Sequence, residues 1–155
     1  MTHEPTEDLT ISRVFDAPPE LVYRAFADPD QLCLWFGPVG YSVPCETVQI
    51  DARPGGFQRF TMISDDDPTD RSTIDTELTE VVENELLAGH QDVTGIPGTS
   101  GSVRFRLRVE FHEEPGGKTR LELRQGPFRA PLGEDAHTGW ESSFTKLDSL
   151  LKRSL

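Results

Sequence analysis

The sequence contains few positive charges, and it has no long apolar segment. Lysine and arginine number 15 against 27 aspartates and glutamates, so the formal net charge is −12. Nucleic-acid binding and attachment to anionic membranes depend on lysine and arginine, so we expect neither kind of partner. No apolar run approaches the ~18 residues of a membrane-spanning helix. The amino terminus, MTHEPTEDL, is polar and acidic and does not fit a secretory signal. We therefore expect a cytoplasmic protein.

Motifs for metals and disulfides are also scarce. The 2 cysteines, Cys33 and Cys45, form no CxxC motif and no histidine cluster with zinc-binding spacing. We therefore expect no metal site and no cofactor. Because a lone disulfide is unusual in a protein that is not secreted, we expect two buried free thiols.

No catalytic motif is present. The sequence lacks GxSxG and HExxH motifs, and the PGG at 54–56 has neither the lysine nor the helix of a phosphate-binding loop. The residues available for acid–base chemistry in an enzyme would be Glu80, His90, His112 and His137. We assign no catalytic residue, and the sequence favours a protein that is not an enzyme.

The 155 residues are expected to form one domain, residues 8–155, after a disordered tail, residues 1–7. The hydrophobic pattern predicts a strand over 9–15, a helix over 19–27 and a second short helix that Asp28 caps. Five further strands are predicted before the end of the chain, over 42–51, 57–63, 71–82, 86–92 and 103–112, and a sixth follows the Pro115-Gly-Gly117 turn.

The last predicted element is a long helix. Trp140, Phe144, Leu147 and Leu151 are spaced i, i+4, i+7 and i+11, which places them on one stripe of a helix within 131–151. A helix with large apolar side chains on one stripe needs a sheet to cover it. We therefore predict an α+β domain in which an antiparallel sheet of six to seven strands wraps around this helix, leaving a cavity between them.

Five segments carry a family resemblance: FDAPPELVYRAFADPDQLCLWFGP at 15–38, PGGFQRF at 54–60, TEVVENELLAG at 79–89, GGKTRLELRQGPF at 116–128 and HTGWESSFTKLDSLL at 137–151. In this order they resemble the START-like helix-grip superfamily (SRPBCC), and most closely its branch named for the activator of Hsp90 ATPase (AHSA1-like). The resemblance implies the helix-grip fold and, in many members, an apolar pocket. It implies no single chemistry, because related branches bind lipids, cyclise polyketides or contact Hsp90. The eukaryotic activator has an additional amino-terminal domain for Hsp90 binding, which this chain has no room for, so chaperone activation is not expected.

The residues of the expected pocket follow from strand parity and the helical stripe. The apolar candidates come from the second helix, two strands and the last helix: Trp35, Phe36, Val103, Phe105, Leu107, Leu121, Leu123, Trp140, Phe144 and Leu147. Each could equally be ordinary core. The polar candidates are Arg13, Glu46, Arg59 and Gln125, which would orient a ligand or, alternatively, form buried ion pairs or lie at the exposed rim.

Three functions are compatible with this sequence. The leading hypothesis is a protein that binds an apolar or amphipathic small molecule in the cavity. The first alternative is an enzyme of the polyketide-cyclase or aromatase kind, which would need acid–base groups converging inside the cavity. The second alternative is a protein-interaction or chaperone-associated, stress-related module, which would show a filled core and an exposed apolar patch.

Overall fold

The computed structural model of the chain describes residues 6–96, 99–129 and 132–154. Its strands are β1 (Thr6–Phe15), β2 (Tyr41–Ser42), β3 (Gln49–Asp51), β4 (Phe57–Ser64), β5 (Arg71–Val82), β6 (Leu86–Val93), β7 (Val103–Glu114) and β8 (Lys118–Arg129). Its helices are α1 (Pro19–Ala27), α2 (Pro29–Trp35) and α3 (Leu132–Ser154), with a short 3₁₀ helix at Cys45–Thr47.

The strands form one antiparallel sheet in the order β1-β8-β7-β6-β5-β4-β2, with β3 also paired to β4. The sheet curls into a half-barrel around α3, which confirms the predicted helix-grip fold class. Along β7, Phe105, Leu107 and Val109 are buried while Arg104 and Arg106 are exposed. This alternation gives the sheet one dry face, and α3 packs on that face.

The predicted strand over 42–51 is interrupted. Pro44 has no backbone N–H to donate to a strand ladder, and its carbonyl oxygen accepts hydrogen bonds from the Thr47 backbone nitrogen (3.0 Å) and hydroxyl (2.7 Å). The 3₁₀ helix that results separates β2 from β3. The sheet therefore has eight strands within the described residues, one more than the largest number expected from the sequence.

The amino-terminal boundary also differs. Thr6 and Glu7, assigned to the tail from the sequence, belong to β1 because they pair with Arg129 and Phe128 of β8. The rest of the predicted tail, residues 1–5, lies outside the described residues.

The Asp28 cap that the sequence predicts is present, and further contacts hold the two short helices together. The Asp28 side chain caps α2 by accepting a hydrogen bond from the Asp30 backbone N–H at 2.9 Å. The Trp35 indole N–H donates to the Ala25 carbonyl oxygen at 2.9 Å, and the Trp35 ring packs edge-on against Phe26. Trp35 is therefore a fully buried anchor between α1 and α2.

The expectation of free thiols is wrong, because Cys33 and Cys45 form a disulfide with a Cα–Cα distance of 5.1 Å. Cys33 lies on α2 and Cys45 begins the 3₁₀ helix. The interruption of the strand at Pro44 brings Cys45 beside α2. The expectation rested instead on the rarity of a lone disulfide in a protein that is not secreted. The bridge fixes α2 to the segment between β2 and β3.

Candidate ligand-binding cavity

A cavity of about 550 Å³ lies between the concave sheet face and the first half of α3. Its size falls within the range of small-molecule pockets. Residues from α3, from β4–β8, from β2 and the segment before it, and from the loops before β5 and after β6 line it: Phe36, Pro38, Tyr41, Met62, Asp70, Ser72, Ile74, Gln91, Val93, Gly95, Ile96, Phe105, Gln125, Phe128, Leu132, Asp135, Ala136, Gly139, Trp140 and Ser143.

Small residues on α3 leave the space open. Ala136, Gly139 and Ser143 lie on one face of the helix at i, i+3 and i+7, and all three line the cavity. A Cβ added at Gly139 would have no described heavy atom within 4 Å apart from its chain neighbours and its own helix. Further along α3, large residues take over this stripe, so that Phe144 and Leu147 are fully buried in the core.

A chain of three hydrogen-bonded side chains crosses the inner wall of the cavity. The Trp140 indole N–H donates to Gln125 Oε1 at 2.8 Å. Gln125 Nε2 in turn donates to Gln91 Oε1 at 2.6 Å. All three residues are buried, with exposed fractions of 8%, 7% and 2% for Trp140, Gln125 and Gln91. The chain joins α3 to β8 and β6.

The mouth of the cavity is acidic and exposed. Asp70, Gly95 and Asp135 line the cavity and are solvent-exposed. The Tyr41 hydroxyl donates to Asp70 Oδ2 at 2.5 Å. This hydrogen bond, aided by desolvation and by the charge of Asp70, raises the pKa of Tyr41 above its ordinary value. No lysine, arginine, histidine or glutamate among the described residues lines the cavity.

Four of the residues predicted for the pocket do line it, namely Phe36, Phe105, Gln125 and Trp140. The other apolar candidates do not line it. Trp35, Leu107, Leu121, Leu123, Phe144 and Leu147 are buried in the core, and Val103 is half-buried against the core. Their inward direction follows correctly from parity. They lie instead where the sheet and the helices are in direct contact.

The remaining polar candidates lie elsewhere. Arg13 pairs with Glu141 and Asp148 of α3, one of the alternatives left open by the sequence. Arg59 is on the outer sheet face, because its neighbours Gln58 and Phe60 point inward, and it pairs with Asp75. Glu46 is exposed in the 3₁₀ helix.

The sequence analysis missed Gln91, the most buried polar group that lines the cavity. Its signal was present in β6, where Gln91 shares parity with the buried Leu87 and Gly89. Gln91 also lies opposite Phe105 in the register of β6 and β7. A polar residue directly opposite a predicted pocket aromatic is a pocket candidate by the same parity argument.

A second cluster of ionisable groups lies on the outer sheet face. Possible ligand atoms of Glu110, His112 and Glu122 lie within 4.8 Å of one another, next to a groove of about 410 Å³. Glu110 is also hydrogen-bonded to Arg108 at 2.6 Å, and this bond lowers the pKa of Glu110, with a further contribution from His112. Arg120 pairs with Glu122. The arginines already neutralise these carboxylates, so the cluster gives no reason to revise the prediction of no metal site.

Within the described part of the chain, no helix is long and apolar enough to cross a membrane.

Comparisons with known proteins agree with this architecture. A family model described as Activator of Hsp90 ATPase homolog 1-like protein matches residues 16–152. The crystal structure of protein CV1439 from Chromobacterium violaceum is 25% identical, covering 94% of this chain and 97% of that one, with a TM-score of 0.79. The AHSA1 protein SPO3351 from Silicibacter pomeroyi is 22% identical over 96% of this chain and 100% of that one, with a TM-score of 0.80.

A more distant structure has the same fold within a longer chain. DynU16, a putative protein in the dynemicin biosynthetic locus, is 17% identical over 96% of this chain and 48% of its own, with a TM-score of 0.71. At this identity the likeness shows the fold alone. The sequence matches no curated protein.

Proposed function

The chain belongs to the family of Activator of Hsp90 ATPase homolog 1-like proteins, and from this premise we propose that it binds an apolar small molecule in the cavity between the sheet and α3. The observation that carries the proposal is the cavity of about 550 Å³ beneath small residues of α3. The fold alone does not require such a space, because a phenylalanine or leucine at 136, 139 or 143 would fill much of it.

The lining of the cavity favours an apolar ligand. Phe36, Phe105, Phe128 and Trp140 contribute aromatic surface, and Met62, Ile74 and Ile96 contribute aliphatic surface. Burying apolar surface is favourable by about 2.5 kcal/mol for every ~100 Å². For a ligand in the cavity, this gain is the favourable term that has to offset the entropy lost on binding.

The arrangement of polar groups favours binding over catalysis. A cyclase-like enzyme would need acid–base side chains converging within hydrogen-bond reach of its substrate. The inner wall instead carries two glutamines and a tryptophan in a hydrogen-bonded chain, and the carboxylates of Asp70 and Asp135 are at the mouth. The alternative of a polyketide-modifying enzyme is supported only by the fold shared with DynU16.

The experiment that tests the proposal fills the cavity from the helix. Gly139→Trp should place an indole in open space and abolish binding of the neutral dye Nile red, while the far-ultraviolet circular dichroism stays that of the parent. Gly139→Ala is the matched control, because its single methyl group leaves most of the volume free and dye binding should persist. A Gly139→Trp protein that is folded and binds the dye with unchanged affinity would overturn the proposal, as would a parent protein that binds none.

A further inference from the structure

The hydrogen-bonded chain on the inner wall has a fixed direction. An indole nitrogen can only donate, so the amide of Gln125 must turn its oxygen toward Trp140, as observed at 2.8 Å. The amide nitrogen of Gln125 is then directed toward Gln91 and donates to its oxygen at 2.6 Å. Trp140 thus determines the orientation of both amides, and the exchange of nitrogen and oxygen at either glutamine would place two donors or two acceptors together.

The consequence concerns Gln91, the last residue of this hydrogen-bonded chain. One lone pair of the Gln91 oxygen accepts from Gln125, and Nε2 carries two donor hydrogens that this hydrogen-bonded chain does not use. Gln91 is 2% exposed and lines the cavity. Among residues 6–96, 99–129 and 132–154, the hydrogen bond from Gln125 is the one that the Gln91 side chain makes. With respect to these residues, Nε2 is therefore a donor available to a ligand in the cavity.

The cross-strand neighbour does not satisfy this donor. Thr76 lies opposite Gln91 in the register of β5 and β6. Its hydroxyl oxygen is fully buried and has no hydrogen-bond partner among the described residues. Thr76 therefore accepts no hydrogen bond from Gln91, which leaves this donor to a molecule in the cavity.

The charges around the cavity restrict what that acceptor can be. The described lining has no basic side chain to neutralise an anionic ligand: it holds Asp70 and Asp135 but no lysine, arginine or histidine. A ligand carboxylate or phosphate would enter a low-dielectric space without a counter-charge, past an acidic mouth on a chain of net charge −12. An uncharged oxygen meets the amide donor without this penalty.

We infer that the ligand is an uncharged apolar molecule with a carbonyl-type oxygen, which accepts a hydrogen bond from Nε2 of Gln91. This inference rests on the proposed function, since it specifies the class of molecule that the cavity takes. Ketones, esters and amides with a long apolar body belong to this class, whereas free fatty acids and alkylamines do not.

The test compares four probes that share one apolar chain: undecane, methyl nonyl ketone, undecanoate and undecylamine. Each is titrated against Nile red in the parent protein. We expect the ketone to bind about tenfold more tightly than undecane, the usual factor for one net hydrogen bond, and undecanoate and undecylamine to bind more weakly than the ketone. The side-chain amide proton resonances of Gln91 should move downfield with the ketone and stay nearly unchanged with undecane.

Two variants isolate the donor. Gln91→Glu, measured at alkaline pH, keeps an acceptor oxygen for Gln125 but replaces the donor by a second oxygen, so the ketone should lose its tenfold advantage over undecane. If this variant does not fold, Gln91→Leu serves the same comparison. Ser143→Ala is the matched control, because Ser143 also lines the cavity but its hydroxyl already donates to the Gly139 carbonyl oxygen at 3.0 Å. It should retain the ketone preference.

The outcomes separate the inference from the proposed function. Equal affinities for undecane and the ketone in the parent, with unmoved Gln91 resonances, would overturn the inference while leaving an apolar binding cavity. Tightest binding of undecanoate or undecylamine would also overturn it. Failure of all four probes and of Nile red would overturn the proposed function, and the inference with it.

Discussion

Arg13 of β1 and Asp148 of α3 form an ion pair of 2.5 Å, which connects the first strand of the chain to its last helix. Arg13 also pairs with Glu141, which lies about two turns earlier on α3, at a distance of 3.1 Å. Its guanidinium carbon lies 5.6 Å from the centre of the Phe15 ring. The two ion pairs hold the edge strand β1 against the helix, and none of their residues lines the cavity.

Arg13→Ala should therefore lower stability without changing ligand binding. The partners are partly shielded from solvent, so we expect the free energy of unfolding to fall by about 1–2 kcal/mol, measured by urea denaturation. Arg59→Ala is the control, since its pair with Asp75 is half-exposed and should change stability by less than about 1 kcal/mol. A selective loss of Nile red binding in Arg13→Ala would instead assign Arg13 to the ligand site.

Removing the Phe144 ring tests whether the second half of α3 is closely packed against the core. Its ring is fully buried. The ring centroid lies 5.5 Å from that of Phe15, in an edge-on arrangement, and 5.7 Å from that of Trp140. Phe144→Ala should lower the free energy of unfolding by about 3–5 kcal/mol, because a cavity would replace close packing. Phe36→Ala, at the wall of the existing cavity, should cost less. Equal losses in chemical denaturation would contradict this division of the helix.

The two tyrosines provide a pH-dependent prediction. Burial is the main cause that raises the pKa of Tyr23, and the hydrogen bond to Asp70 is the main cause that raises the pKa of Tyr41. A raised folded-state pKa contributes stability that is present below the unfolded value of 10.0 and is lost as the pH rises through the folded value. The midpoint of the phenolate absorbance of the folded protein should therefore lie above pH 10.0.

Asp70→Ala separates the two phenols. It removes the acceptor and the charge beside Tyr41, so the pKa of Tyr41 should move down toward its ordinary value while that of Tyr23 is unaffected. Half of the phenolate absorbance should then develop at lower pH than in the parent. A titration curve identical to that of the parent would show that the hydrogen bond does not form in solution.

Local signals were sufficient to predict most of the fold. The predicted bounds of α1 and β5 are those observed, Pro19–Ala27 and Arg71–Val82. In both, the signals are local: prolines and an apolar face start α1, and the alternation of β5 ends at a tight turn. The failure over 42–51 is also informative, because the hydrogen bonds that Thr47 makes to the Pro44 carbonyl oxygen compete with strand pairing at a residue that cannot donate to the ladder.

The candidate site was only partly predictable, because parity gives a side chain's direction and not its neighbours. Trp140 and Phe144 share one helical stripe, yet Trp140 lines the cavity and Phe144 does not. The difference arises from the residues beside them: Ala136 and Gly139 are small, whereas the rings of Phe15 and Trp35 pack around Phe144. Which strand lies over which turn of α3 depends on the curl of the whole sheet.

The disulfide predicts a specific response to reduction. The protein as folded should show no reactive thiols, and two after reduction under denaturing conditions. The bridge closes a loop with a sequence separation of 12, so the Cys33→Ser/Cys45→Ser variant should lose about 2–3 kcal/mol of unfolding free energy. Such bridges persist mainly in oxidising compartments. The bridge therefore gives no support to the cytoplasmic location expected from the sequence, which stays a prediction. Two free thiols in protein isolated without reductant would contradict the bridge.

Gly139 tests whether the open cavity is kept at the expense of stability. Glycine inside a helix is less favourable than alanine by about 1 kcal/mol, and Gly139 lies well inside α3 with open space where its side chain would be. Gly139→Ala should therefore raise the free energy of unfolding by about 0.5–1 kcal/mol in urea denaturation. The comparison is Gly133, which also lies on α3. A Cβ at Gly133 would lie 3.5 Å from the Phe128 side chain, so the added methyl group would make a contact there and would not enter a void. If Gly139→Ala destabilised the protein, the space beside α3 would have to be smaller in solution than the described structure shows, and the binding proposal would lose its main support.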